Sequence, residues 1–262
     1  MTLNSPHNMK MISEKHIRSY HKGSSIFFLK TKEEFGGLSN MAGGYPLEIN
    51  GIKILTSEAL YQLCRYPHLP SVQKKIVEQR SPMTSKMHSR AFIEKSRTDW
   101  PQVQIKIMRW CLRVKLAQNF EKFSELLLRT GDFPIVEHSN KDIFWGAELQ
   151  EDDQFVGMNV LGRLLMDLRE QIKQYNKSDL LYVEPLNIPN FNIYGDSIEP
   201  VGHVSMHIPA EKISSSEQTE LFEGKPKSLE NKTKRSEEPR SQPFLHLVIT
   251  FFKKIIRKLF LK

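Results

Sequence analysis

Cysteine is nearly missing from this chain: 262 residues carry two, Cys64 and Cys111, and neither sits in a metal-ligand spacing. That excludes a disulfide framework and a cysteine-based zinc site, and a reducing cytoplasm is the expected compartment. The stretch from Met1 to Lys22 lacks the apolar run of a secretory signal, and no internal repeat is present. Large apolar residues are scarce between 214 and 243, where Ser, Glu, Lys, Thr and Pro dominate. Such a segment cannot bury enough surface to offset the entropy of ordering, so a disordered linker is expected there. Balanced charge also fails at the far end. The formal net charge of +8 is concentrated in Lys225, Lys227, Lys232, Lys234, Arg235 and Arg240 and in the final segment. The basicity therefore describes the tail and not the core.

What is present is an evenly patterned region over 24–174, preceded by an N-terminal extension, 1–23, and followed by 175–213, whose prolines and moderate apolar content suggest extended structure. Within it, Pro46–Ile49 and Ile52–Leu55 flank Asn50-Gly51, a dipeptide that accepts the positive φ angles of a two-residue hairpin turn. Thr56 or Ser57 then caps a helix. Its apolar side is Ala59, Leu60, Leu63 and Cys64; Glu58, Tyr61, Gln62 and Arg65 share another face. The ordinary reading of that second face is a solvated stripe, and the alternative is one wall of a site. Further helices are expected over 71–79 and 82–92, separated by Pro82, then a long central one over 102–118 and another over 121–129 that stops at Gly131. Short strands are expected around Ile135–Glu137 and Ile143–Trp145, and a last core helix over 159–172. The fold class is α+β: a mainly helical single domain with a small β-sheet, extended by the linker and a C-terminal amphipathic helix.

The block from Thr130 to Met166 crowds carboxylates, aromatics, amides and glycines into short connections, as expected of a site built on a scaffold. Glycines at 146, 157 and 162 admit positive φ or close backbone approach, with Gly157 expected in the turn before the last helix and Gly162 in helix packing.

Several of these pieces together resemble the NADAR (YbiA-like) family. The matching residues are Phe35 through Asn40, Thr56 through Gln62, Ser81-Pro82-Met83, Trp100, and Met108 to Lys115. They continue with Leu127-Leu128, Thr130-Gly131, Val136-Glu137, Asp142, Trp145-Gly146, Gly157 to Gly162 and Leu164 to Arg169. The resemblance implies hydrolysis of the N-glycosidic bond between a phosphorylated ribose and a base. Two substrate classes are associated with the family: phosphoribosylaminopyrimidine intermediates of riboflavin synthesis, released as free pyrimidine and ribose 5-phosphate, and ADP-ribose conjugates, including ADP-ribosylated guanine in nucleic acid. No metal or redox cofactor is implied.

Breaking the bond at C1′ builds positive charge on the sugar, which a carboxylate can stabilise while orienting water; Glu58 is the first choice. A second acid must protonate the departing base, with Asp142 the first candidate and Glu137 behind it. Trp100 or Trp145 could stack on the base, although tryptophans in a domain this size commonly pack the core. Asn40, Gln62 and Asn159 could read polar edges, and Arg65, Lys86, Arg90 and Arg163 are available for phosphate. His138 needs no catalytic role. One departure stands out: where the family commonly carries a lysine one turn beyond the glutamine of the first helix, this chain has Arg65, which cannot act as a nucleophilic amine. A binding module for NAD or ADP-ribose that has kept the pocket and lost turnover is the alternative.

The segment 244–262 places Lys253, Lys254, Arg257, Lys258 and Lys262 on one helical stripe against an apolar remainder. Such a helix favours an anionic membrane surface over spanning a bilayer. Docking on a protein, or binding nucleic acid, would use the same face.

Overall fold

The structure is a computed structural model that describes residues 16–202. The linker expected over 214–243, the amphipathic helix over 244–262, most of the N-terminal extension and the end of the 175–213 segment lie outside the described residues.

The chain runs through β1 (Arg18–His21), β2 (Ile26–Phe28), the hairpin β3 (Leu47–Ile49) and β4 (Ile52–Ile54), and helices α1 (Ser57–Leu63), α2 (Pro70–Val77) and α3 (Pro82–Arg90). The long α4 (Trp100–Gln118) and α5 (Phe120–Leu128) follow, then β5 (Ile135–Glu137), β6 (Glu148–Leu149), β7 (Gln154–Gly157), α6 (Val160–Gln174), the short α7 (Lys177–Leu180), and the hairpin β8 (Asn192–Ile193) and β9 (Asp196–Ser197). It is a mixed α+β fold, with helices around α4 and small sheets on the flank.

Local chemistry accounts for the element boundaries. Asn50 and Gly51 both take positive φ, 50° and 73°, and pair β3 with β4. Thr56 caps α1 by accepting the Ala59 N–H at 3.2 Å. Ser81 accepts the Thr84 N–H at the start of α3, with Pro82 in the first turn, where its missing N–H costs nothing. Gly131, at φ 57°, follows α5 in the left-handed region. The apolar stripe of α4 buries Val103, Ile107, Trp110 and Val114, and α1, α5 and α6 pack against it.

One open alternative is decided and two sequence expectations need correction. The second face of α1 is not a solvated stripe: every residue from Ser57 to Leu63 is buried, because α2, α3 and α4 enclose the helix. Ile143–Trp145 is a turn and not a strand, since Asp142 Oδ1 accepts the Phe144 and Trp145 N–H groups and the Gly146 N–H returns to Asp142 O. Gly157 does not lie in the turn before α6; it ends β7, opposite Arg18 of β1.

The sheet begins upstream of residue 24, where β1 pairs antiparallel with β7, which also pairs with β6. β2 pairs in parallel with β5, which places Phe28 opposite Glu137. The parallel pair is closed by a long crossover that includes α1 to α5, so the beginning and end of the helical block meet beside Glu137. No helix among the described residues is long and apolar enough to cross a membrane.

Candidate active site

The first turn of α1 is docked on the loop that follows a short 3-10 turn at Gly36–Leu38. Asn40 O accepts the Glu58 N–H at 3.1 Å and the Ser57 hydroxyl at 3.3 Å, which anchors Glu58 two residues inside the helix. The Asn40 side chain donates to Met108 Sδ at 3.0 Å, while its Oδ1 is buried with no hydrogen-bond partner among the described residues.

Glu58 is 5 % exposed. Its Oε1 accepts from Gln62 Nε2 at 3.0 Å and lies 3.3 Å from Lys86 Nζ on α3. Gln62 is held in turn by the Ser89 hydroxyl, which donates to its Oε1 at 2.5 Å. Lys86 and Ser89 lie three residues apart on α3 and so share the face turned to α1. Gln62 thereby orients the Glu58 carboxylate, and Lys86 supplies its counter-charge.

Glu137 enters from the end of β5. Asn159, left-handed at φ 48° and capping α6, accepts the Glu137 N–H at 3.1 Å and donates to Ile135 O at 2.8 Å. Both arms of this fully buried amide are committed to the β5 backbone, so Asn159 positions Glu137 and is not free to read a substrate. Burial pushes the Glu137 carboxyl up to about 8; the charges of Asp142 and Glu58 add to the rise and that of Lys86 opposes it. Glu58, Lys86 and Asp142 thus all act electrostatically on Glu137 although the four come from three separate parts of the chain.

Asp142 differs from Glu137 in what it touches. Its Oδ1 accepts two backbone N–H groups, at 3.1 Å from Phe144 and 3.0 Å from Trp145, which shapes the turn presenting Trp145. Tyr61, on α1, links the aromatic residues: its ring lies 4.9 Å from Trp100 and 5.6 Å, edge-on, from Trp145, and Phe144 stands perpendicular to Trp145 at 5.0 Å. Burial holds the Tyr61 hydroxyl well above its ordinary pKa. Trp100 is 7 % exposed and carries the Arg65 guanidinium 4.6 Å above its ring, with Arg65 Nε donating to Ser96 at 2.8 Å. Trp145 is only half-buried. Arg90 is exposed at the end of α3 and Arg163 half-buried in the first turn of α6; neither has an ion-pair partner among the described residues.

The fold therefore assembles Glu58, Gln62, Glu137, Asp142 and Trp145 around Lys86 and Tyr61. Lys86 was legible in sequence only as one cation among several, and Tyr61 only as part of a helical face. The spacing from Pro82 phases Lys86 and Ser89 together, but which neighbour they face is a tertiary fact.

The sequence matches the NADAR domain over residues 26–173. It is 32% identical over 156 residues to the N-glycosidase YbiA of Escherichia coli (strain K12), covering 60% of this chain and 93% of that protein. It is 30% identical over 186 residues to a riboflavin biosynthesis protein of Vibrio vulnificus, where the match takes in 68% of this chain and 48% of the relative, so the chain spans about half that protein's length. Among solved structures, the NMR structure of the E. coli protein YbiA is similar, with a TM-score of 0.50 and 31% identity over 58% of this chain and 90% of that one.

Proposed function

Since this chain belongs to the NADAR family, we propose that it is an N-glycosidase acting on a base carried by a phosphorylated ribose, with phosphoribosylaminopyrimidines of riboflavin synthesis as first substrate and ADP-ribose conjugates as the related class. The observation that carries this reading is the unequal carboxylate pair. Glu58 is tied to Lys86 and Gln62, while the Glu137 carboxyl is pushed up to about 8 and holds a proton at neutral pH. Two carboxyls set apart by their surroundings are what acid-assisted glycoside hydrolysis needs.

In this reading Glu137, and not Asp142, donates its proton to the departing ring or exocyclic nitrogen as the C1′–N bond breaks. Glu58 faces the positive charge that develops on the ribose and orients water toward C1′. The water oxygen bonds to C1′ and its proton passes to Glu58, leaving ribose 5-phosphate and the free base. Asp142 serves by shaping the turn that offers Trp145 as a stacking face. Lys86 is available to the phosphate or the sugar, with Arg163 and Arg90 further candidates. Arg65, held by Ser96 over Trp100, braces the aromatic wall.

The test is release of ribose 5-phosphate by wild type beside Glu58→Gln. The substitution keeps the shape and the Gln62 contact but removes the charge, and turnover is expected to fall by roughly 10²–10⁴-fold with ligand binding retained. A wild type that binds phosphoribosylated bases and ADP-ribosylated guanine but turns over neither would replace the enzyme with a binding module.

A further inference from the structure

Lys115 is a fully buried ammonium group in the middle of α4, at 0 % exposure, and no carboxylate among the described residues pairs with it. Its Nζ donates to Gly37 O at 2.6 Å and Ser39 O at 3.2 Å, and lies 4.3 Å and 4.2 Å from the ring centres of Tyr45 and Phe123. A buried unpaired lysine is a poor stabiliser; an apolar side chain of similar volume commonly does as well or better. Its placement calls for an explanation other than core filling.

The two carbonyls it holds belong to the loop whose next residue, Asn40, receives the Glu58 N–H. The same loop is closely packed at Gly37, where an added Cβ would meet the Tyr45 hydroxyl at 2.4 Å and Leu126 Cδ2 of α5 at 2.6 Å. The polar tether from α4 and this close packing therefore set the height of Asn40, and Asn40 O sets where α1 begins and where Glu58 points. We propose that Lys115 is a positioning residue for Glu58, acting through the loop 37–40 rather than by contact with substrate. This rests on Glu58 being the working carboxylate.

Burial, with the Lys122 charge adding to it, lowers the Lys115 amine to about 7. Lys122 and Tyr45 are the ionisable groups that face it: Lys122 Nζ lies 4.6 Å from the Tyr45 ring on the side of Gly44. A neutral amine retains two N–H donors, enough for both carbonyls, so the tether survives in either charge state.

Lys115→Met keeps the stem and removes the donors. In the full chain, the thermal midpoint is expected to stay the same or rise, while kcat falls about 10–100-fold with KM within about twofold, the cost of a small misplacement of the reacting group. Lys115→Gln, which keeps one N–H donor, should lie between wild type and Lys115→Met, and it replaces that variant if the latter does not fold. Placed in a Glu58→Gln background, either change should produce no further loss, because both remove the same contribution. Hydrogen exchange at the Glu58 amide, which needs no turnover, should accelerate about tenfold or more once its acceptor loop is released. An unchanged Glu58 exchange rate together with unaltered kcat would overturn the proposal. If wild type proves inert toward every substrate, the assignment of Glu58 fails on its own account, and the exchange rate alone decides whether Lys115 sets the loop.

Discussion

In the proposed mechanism Glu137 is the residue through which pH reaches the site. Its carboxyl is held up to about 8 by burial and by Asp142 and Glu58, so it is protonated below that pH and loses its proton above it. The rate is expected to decline as pH rises through about 8, and Glu137→Gln should remove that limb along with most of the activity, measured as kcat/KM against pH. The sign for stability runs the same way. An unfolded glutamate ionises near its ordinary value of 4.5, so between that value and about 8 folding becomes steadily less favourable for wild type. Glu137→Gln should therefore be more stable than wild type at pH 9 and nearly equal to it near pH 4, read from urea midpoints. A variant with unchanged stability at both pH values would mean that the carboxyl is solvated. Lys115 has the opposite sign. Its amine is depressed to about 7, so its penalty is complete below that pH and shrinks toward the ordinary 10.5 as the unfolded lysine also loses its proton.

Among the elements, α1 and α6 deliver the site by different means. α1 carries Glu58, Tyr61 and Gln62 and is enclosed on every side, so its polar face is satisfied by Lys86 and Ser89 from α3, while Arg65, just past its end, is held by Ser96. α6 carries none of the reacting groups but holds β5 through Asn159 and lies against it at Gly162. A Cβ there would meet Ile135 O at 2.1 Å and Asn159 Oδ1 at 2.5 Å, and backbone cannot yield cheaply. Gly162→Ala is expected to destabilise the fold by about 1–3 kcal/mol through overpacking, and to cost activity beyond that because the clamp on Glu137 shifts with the helix. Thermal unfolding and kcat measured on the same preparation would test this; lost stability with full specific activity in the folded fraction would separate the two effects.

At the scale of the molecule, the core does not end where the family match ends, at residue 173. Leu180, Val183, Phe191, Ile193, Ile198 and Val201 are all buried, and Phe191 packs edge-on against Trp110 of α4 at 4.9 Å. Polar ties fix the segment as well: Trp110 Nε1 donates to Glu184 O, Arg97 to Pro189 O, and Gln73 bridges Asn192 O and the Tyr194 N–H. Arg97 also receives this segment next to Arg65, whose carbonyl accepts the Arg97 N–H at 3.0 Å. A chain cut after residue 174 should therefore lose much of its thermal stability. Phe191→Ala in the full chain should cost about 3–5 kcal/mol, close to the cost of emptying any buried aromatic position. A truncated form that melts with the intact protein would show that this segment is a passenger.

The sequence by itself determined the local elements and their signals. The Asn50-Gly51 turn, the Thr56 cap, the break at Pro82, the left-handed stop at Gly131 and the amphipathic stripe of α4 depend on neighbours within a few residues. The ordered motifs of the NADAR family were legible for the same reason. What lay beyond it were the facts created by approach of distant segments. Only the tertiary structure decided that α1 is buried all round, that Lys86 of α3 is the partner of Glu58, and that Trp100 is covered by Arg65. Asn159, which looked available to substrate, is occupied by β5, and burial lifts the Glu137 carboxyl to about 8. Burial and charge proximity set a group's protonation, and both are properties of the folded neighbourhood, which no spacing along the chain records.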